Sequence, residues 1–107
     1  MLVKVDHRDI RVISIPEHPK HAGVFKDREC LIEIVNEQSS QQQADTLIHE
    51  ILHAIWATRG LPDKVCEEEC VTRLASGLAT VIRDNPALWR SIGLALKGEL
   101  PLFKKGE

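Results

Sequence analysis

Tyrosine is absent from this chain, and the only other aromatic rings besides histidine are Phe25, Trp56, Trp89 and Phe103. So few stacking platforms argue against recognition of single-stranded nucleic acid. An excess of either charge is also missing. Lys and Arg number 14 against 16 Asp and Glu, a net charge of −2, so nothing draws the chain generally toward nucleic acid or an anionic membrane. No apolar run approaches the roughly 20 residues of a membrane helix. The first residues already carry Lys4 where a signal peptide would be apolar. Cysteine is sparse and odd in number, at three, which points to a reduced cytoplasmic setting rather than a disulfide framework. Cys66 and Cys70 stand four apart. That spacing suits a second, thiolate metal site, but two small residues on an ordinary helix is the expected reading.

What remains is an ordinary globular composition, 43% apolar and 28% charged over 107 residues, enough for one domain spanning 1–107 with its own core. The first third has strand character. Leu2 to Val5 alternates, Ile10 to Ile15 is rich in β-branched residues, and Cys30 to Val35 forms a further strand. Pro16 and Pro19 break the run between them, and Gly23 to Glu29 suggests a short strand in a hairpin around Asp27-Arg28. These signals predict a small antiparallel sheet.

Helical signals follow Asn36. Ser40 with Gln43 matches a capping box, so a helix is expected from Ser40 to the Arg59-Gly60 stop, with Pro62 beyond. A second helix is expected from about Asp63 to Arg83, with its apolar stripe at Val71, Leu74, Ala75, Leu78 and Ile82. Asn85-Pro86 opens a short third helix through Leu88, Trp89, Ile92 and Leu96, ending at Gly98. The basic last residues are expected to be loose. The fold class is therefore α+β.

The segment that ties named atoms to a reaction is His49-Glu50-Ile51-Leu52-His53, set in an apolar stretch of the first helix. Four residues apart, His49 and His53 can offer both imidazoles to a single metal ion. Glu50 directly follows the first histidine, where a zinc protease keeps the carboxylate that activates water. The plainer alternative is a pair of core histidines bonded to backbone carbonyls. Two buried imidazoles beside a carboxylate each need polar partners, however, and one divalent cation serves all three. A zinc-dependent hydrolase, most simply a peptidase, is the expectation.

A catalytic zinc site commonly takes three protein ligands. The run Cys66-Glu67-Glu68-Glu69-Cys70 opens the second helix. Three glutamates there commonly form a solvated start favoured by the helix dipole. Helical projection puts Glu69 opposite the apolar stripe and leaves Glu67 and Glu68 both flanking it, Glu67 slightly nearer its centre.

His49-Glu50-Ile51-Leu52-His53, followed by Glu68-Glu69-Cys70-Val71-Thr72-Arg73-Leu74-Ala75, resembles the peptidase core of the ImmA/IrrE-type metallopeptidases. These are zincins common in phages and mobile elements, whose second helix carries a Glu-x-x-small-Asn-x-aromatic-Ala pattern. The similarity runs from about Gly23 to Ala79, with Val71 and Leu74 matching by type. It implies a minimal zincin-like fold, Zn²⁺ as cofactor, and Glu68 as the third ligand beside His49 and His53. It also implies Glu50 as the catalytic carboxylate and Thr72 as a polar residue supporting the ligands. The expected substrate is a protein or peptide, paired by strand addition along Leu31 to Val35 as a sheet edge.

Many zincins steady the oxyanion with a Tyr or His. Without tyrosine, the candidates here are His18 and His21, in the proline-broken loop. No specificity pocket is legible in the sequence. The competing expectation is a regulatory binding protein on the same scaffold, with a metal that is structural or absent.

Overall fold

The computed structural model describes residues 1–61 and 67–104; the side chains of Glu67, Glu68 and Val71 also lie outside what is described. Four strands, β1 (Leu2–Val5), β2 (Arg8–Ile15), β3 (Gly23–Lys26) and β4 (Leu31–Val35), precede three helices, α1 (Ser40–Thr58), α2 (Glu67–Asp84) and α3 (Pro86–Leu96). The class is α+β as expected, but the sheet is mixed rather than antiparallel. Its order is β1-β2-β4-β3, and β2 and β4 run parallel. The cause lies in the loop 16–22. It carries the chain over the width of two strand spacings, roughly 10 Å, so β3 descends at the far edge. The tight turn 27–30 then folds β4 back into the gap. Cys30 closes that turn with a φ of 49° and an N–H bond to the Asp27 carbonyl at 3.2 Å.

Alternation sends Val3, Val5, Ile10, Val12, Ile32 and Ile34 to one face, all essentially without solvent exposure. On this face α1 buries Ala44, Leu47, Ile51, Ala54 and Ile55, spaced by three and four residues along the helix. Gly23 permits a close approach of α1 to β3, since a Cβ there would lie 2.5 Å from the Thr46 methyl. Gly77 plays the same part between α2 and α1, where a Cβ would meet Ile55 at 2.5 Å.

The capping box sits one residue earlier than expected. Ser39 is the N-cap, its hydroxyl accepting from Gln42 N–H while the Gln42 side chain accepts from Ser39 N–H. Gln43 is thereby free for another task. Almost wholly buried, it donates to the carbonyls of Asn36 (3.1 Å) and Phe103 (2.9 Å) and accepts from Phe103 N–H (2.9 Å). That side chain pairs with the C-terminal backbone much as a neighbouring strand would. Leu102 and Phe103 pack against the core, so this stretch is anchored rather than loose; residues 105–107 lie outside the described residues.

The expected helix start near Asp63, and with it Cys66, lies outside the described residues. Among those described, the buried stripe of α2 is displaced from the expected one. Leu74 and Leu78 are half-buried and Val81 is fully buried, whereas Ala75 and Ile82 face solvent. Val81 wins because β1 and α3 both pack against this end of α2. Asn85 begins α3, but its side chain does not cap it. Instead it bridges to the N–H and C=O of Lys4 and to the Val81 carbonyl.

A second tie joins the hairpin, α1 and α2. Asp6, at φ 53° in the β1–β2 turn, accepts from Arg59 Nε and Nη2, both at 3.0 Å, and from the Thr80 hydroxyl at 3.2 Å. Arg59, which ends α1 just before Gly60, also donates to Ser76. No described helix is long and apolar enough to cross a membrane.

The Gln43 clasp yields a stability prediction. Gln43→Ala strands the N–H and C=O of Phe103 and should cost about 1–3 kcal/mol. Urea unfolding should record the loss, and amide exchange at Phe103 should rise ahead of that at Ile51. An unchanged urea midpoint would show that the clasp contributes nothing.

Candidate functional site

Because α1 turns 100° per residue, the stripe that faces the sheet leaves His49 and His53 together on the opposite border. Both imidazoles are exposed, which removes the core-histidine alternative and also corrects the expectation of two buried imidazoles in need of polar partners. Their Nε2 atoms lie 3.1 Å apart, with ring centroids at 4.7 Å and planes at 75°. Two nitrogens bound at about 2.0–2.1 Å to one tetrahedral zinc would stand roughly 3.3 Å apart. The donor set and its spacing therefore fit a shared ion. Without one, the same contact is a single hydrogen bond that needs one ring to donate and the other to accept.

Glu50 sits one step toward the core, only 6% exposed, and no described side chain hydrogen-bonds to its carboxylate. It opens instead onto a cleft of about 510 Å³ between α1 and β3, lined by His21, Gly23, Phe25, Asp27, His49 and His53 among others. A carboxylate so placed needs water, a substrate proton or a cation as partner. A smaller extension of about 260 Å³ continues past His21 and Glu50 to Asp45 and Thr46.

The cleft walls are held from both ends. At one, the Ala22 carbonyl accepts from Val35 N–H (2.9 Å) and from the Gln38 amide (3.2 Å), which fixes the entry to β3. At the other, Arg8 donates to the Asp27 carboxylate (2.8 Å), the Asp27 carbonyl (2.6 Å) and the Thr58 hydroxyl (3.1 Å). Its guanidinium is held above its ordinary pKa, chiefly by the hydrogen bond to Cys30, against a burial penalty and with help from Asp27. On the strand itself, the Lys26 ammonium is raised by its hydrogen bond to Glu33.

The strand beside the site differs from the expected one. Leu31 to Val35 is not an edge, since β4 lies between β2 and β3 with both sides paired. The edge that flanks the cleft is β3, the short strand that the sequence suggests within Gly23 to Glu29.

Of the loop histidines, only His21 reaches the cleft. His18 turns inward on its own loop, its Nδ1 accepting the N–H groups of Lys20 (3.1 Å) and His21 (3.0 Å). Of the glutamate run, Glu69 is exposed and pairs with Arg73 at 2.8 Å, as its projection away from the core requires. The side chains of Glu67 and Glu68, including the expected third ligand Glu68, lie outside the described residues, and Thr72 is exposed. Among the described residues, no three His, Cys, Asp or Glu side chains come together closely enough to enclose an ion.

The chain matches no protein family, no curated protein and no solved structure.

The histidine geometry makes its own prediction. Titrated with Zn²⁺ and counted by elemental analysis after dialysis, the wild-type chain should retain about one ion. His49→Ala and His53→Ala should each retain almost none while keeping the wild-type circular dichroism spectrum. Metal-free wild-type protein after the same treatment would leave the pair as a surface hydrogen bond.

Proposed function

We propose that this protein is a cytoplasmic zinc-dependent peptidase of minimal zincin-like build, similar to the ImmA/IrrE-type metallopeptidases. The observation that carries the reading is the exposed pair of imidazole nitrogens, 3.1 Å apart, beside a buried carboxylate with no hydrogen-bond partner among the described residues. His49, His53 and Glu68 would hold the ion, with Glu68 chosen by the register of the motif it resembles. Zn²⁺ there supplies Lewis acidity, which polarises a peptide carbonyl and makes water nucleophilic at neutral pH.

The chain's own residues do the rest. Glu50 accepts a proton as the water oxygen adds to the carbonyl carbon, and returns it to the amide nitrogen as the C–N bond breaks. Its burial shields that proton from bulk water, while its open side meets the substrate. An extended peptide lies along the edge strand β3, whose outward N–H and C=O groups pair with no described strand. His21, at the head of that strand, is the donor positioned to steady the carbonyl oxygen.

A regulatory binder on the same scaffold is favoured by one observation, the absence of a third donor at the pair among the described residues. Two experiments separate the readings. Glu50→Gln should keep zinc and the fold, yet lower cleavage of a substrate protein by about 10²–10⁴-fold, the usual worth of a positioned base. Wild-type rates in that variant would remove Glu50 from the chemistry. Tight binding of a partner with no cleavage by either form would establish the binder.

Separate alanine substitutions at Glu67, Glu68 and Glu69 test the third ligand. Zinc affinity should fall most at Glu68 and hardly at all at Glu69, which is already paired with Arg73. A dominant loss at Glu67 would shift the assumed register by one residue.

A further inference from the structure

Loop 16–22 crosses the sheet with little bonding of its own. The Ile15 carbonyl before it accepts from Asn36 N–H at 2.8 Å, and the Ala22 carbonyl at its end accepts from Val35 and Gln38. Among the described residues, the only hydrogen bonds to residues 16–21 are the two that His18 Nδ1 accepts. They come from Lys20 N–H at 3.1 Å and His21 N–H at 3.0 Å. We propose that His18 is a positioning residue: its neutral imidazole holds the loop in the bend that brings His21 to the cleft, and protonation of Nδ1 releases it. The part given to His21 rests on the peptidase reading above; the bend itself does not.

The chemistry of the ring sets the terms. A ring nitrogen that accepts two N–H groups turns its lone pair toward them and carries no proton, so the neutral ring bears its hydrogen on Nε2. A proton added to Nδ1 takes up that lone pair. Three N–H groups then converge, and both backbone donors must turn to water instead. Pro19 deepens the dependence, because it has no N–H of its own and its ring fixes φ at about −65°. Lys20 and His21 are therefore the first two donors after the imidazole. The bend also brings the rings of His18 and His21 to a centroid distance of 5.2 Å. His21 in turn borders both parts of the cleft beside Gly23 and Glu50.

The charged groups about the loop are Glu17 and Lys20 within it, both exposed, and Asp45, His49 and Glu50 of α1, which line the cleft with His21. The segment after β4 meets the loop through Gln38, which is uncharged. No described side chain hydrogen-bonds to the His18 ring, so its two backbone donors are what respond to its charge. Histidine ordinarily changes charge between about pH 5 and 8. Asparagine supplies the control. Its Oδ1 stands as many bonds from the backbone as Nδ1 does, accepts from N–H groups just ahead in the chain, and does not titrate.

Proton–nitrogen correlation spectra of the whole chain, recorded from about pH 8 to about pH 5, read the bend directly. At the upper end the His18 ring should be the Nε2–H tautomer. The Lys20 and His21 amide signals should move together with the ring as it gains its proton. His18→Ala should show the acid-form amide signals already at the upper end, and His18→Asn should hold signals close to the neutral wild-type ones throughout. An Nδ1–H tautomer, amides that ignore the ring, or an asparagine variant that behaves like the alanine one would overturn the bend. Cleavage of a substrate protein then reads its consequence. At unchanged zinc content and KM, His18→Ala should lower kcat at least tenfold, toward the roughly 10²–10³-fold worth of an oxyanion donor, and His18→Asn should restore it. A wild-type kcat in His18→Ala would remove the positioning role. Absence of cleavage by the wild type would instead remove the peptidase reading, and the spectra would still decide the bend.

Discussion

The helical repeat of α1 imposes two demands on the same 19 residues. Every third or fourth position must be apolar to cover β3 and β4, and the remaining border must carry whatever the surface is for. At 100° per residue those demands are interleaved, not separated. Glu50 therefore falls between a buried Ile51 and an exposed His49, at the border of the core and beside the cleft. The burial of Leu47, Ile51, Ala54 and Ile55 is what fixes the rotation of the helix, and with it the direction of all three polar groups.

The sheet contributes the opposite wall, and its topology decides which strand that is. Had the first strands formed a simple meander, β4 would have been at the edge and nearest the helix. The crossing of loop 16–22 puts β3 there instead, and the missing side chain at Gly23 lets α1 sit against it. The cleft is the groove left where a helix of fixed width meets a strand with one unpaired side. Arg8 then joins the hairpin turn to Thr58, so the far end of the groove cannot widen without breaking several charge-assisted bonds.

Elements with strong periodicity were legible from the residues alone: the strands, α1 and its Arg59-Gly60 stop, α3 behind Asn85-Pro86, and the histidine pair. What escaped has a common cause, in that it depends on contacts between segments distant in sequence. Parallel pairing of β2 with β4 leaves no local mark, because each strand has the same alternation in either direction. Gln43 looked like a cap because its spacing from Ser40 fits one, but burial against Phe103 is decided 60 residues away. Ile82 fits the periodic stripe of α2 as well as Val81 does, and only the positions of β1 and α3 separate them.

The two halves of the candidate metal site are secured unequally. His49 and His53 ride on a helix clamped along its length by the core. The acidic start of α2 has no such support among the described residues. The anchors seen on that helix are Leu74 against the core, Ser76 on Arg59, Gly77 against Ile55, Thr80 on Asp6 and the buried Val81, all within residues 74–81. Residue 68 stands six positions before the first of them, about 9 Å along the axis at 1.5 Å per residue. The Asp6–Arg59 tie, a pair of 3.0 Å bonds from one guanidinium to one carboxylate, joins the β1–β2 turn to the end of α1, and α2 reaches it through Ser76 and Thr80. An ion held by His49 and His53 together with a carboxylate of α2, as proposed, would add a further tie between the two helices.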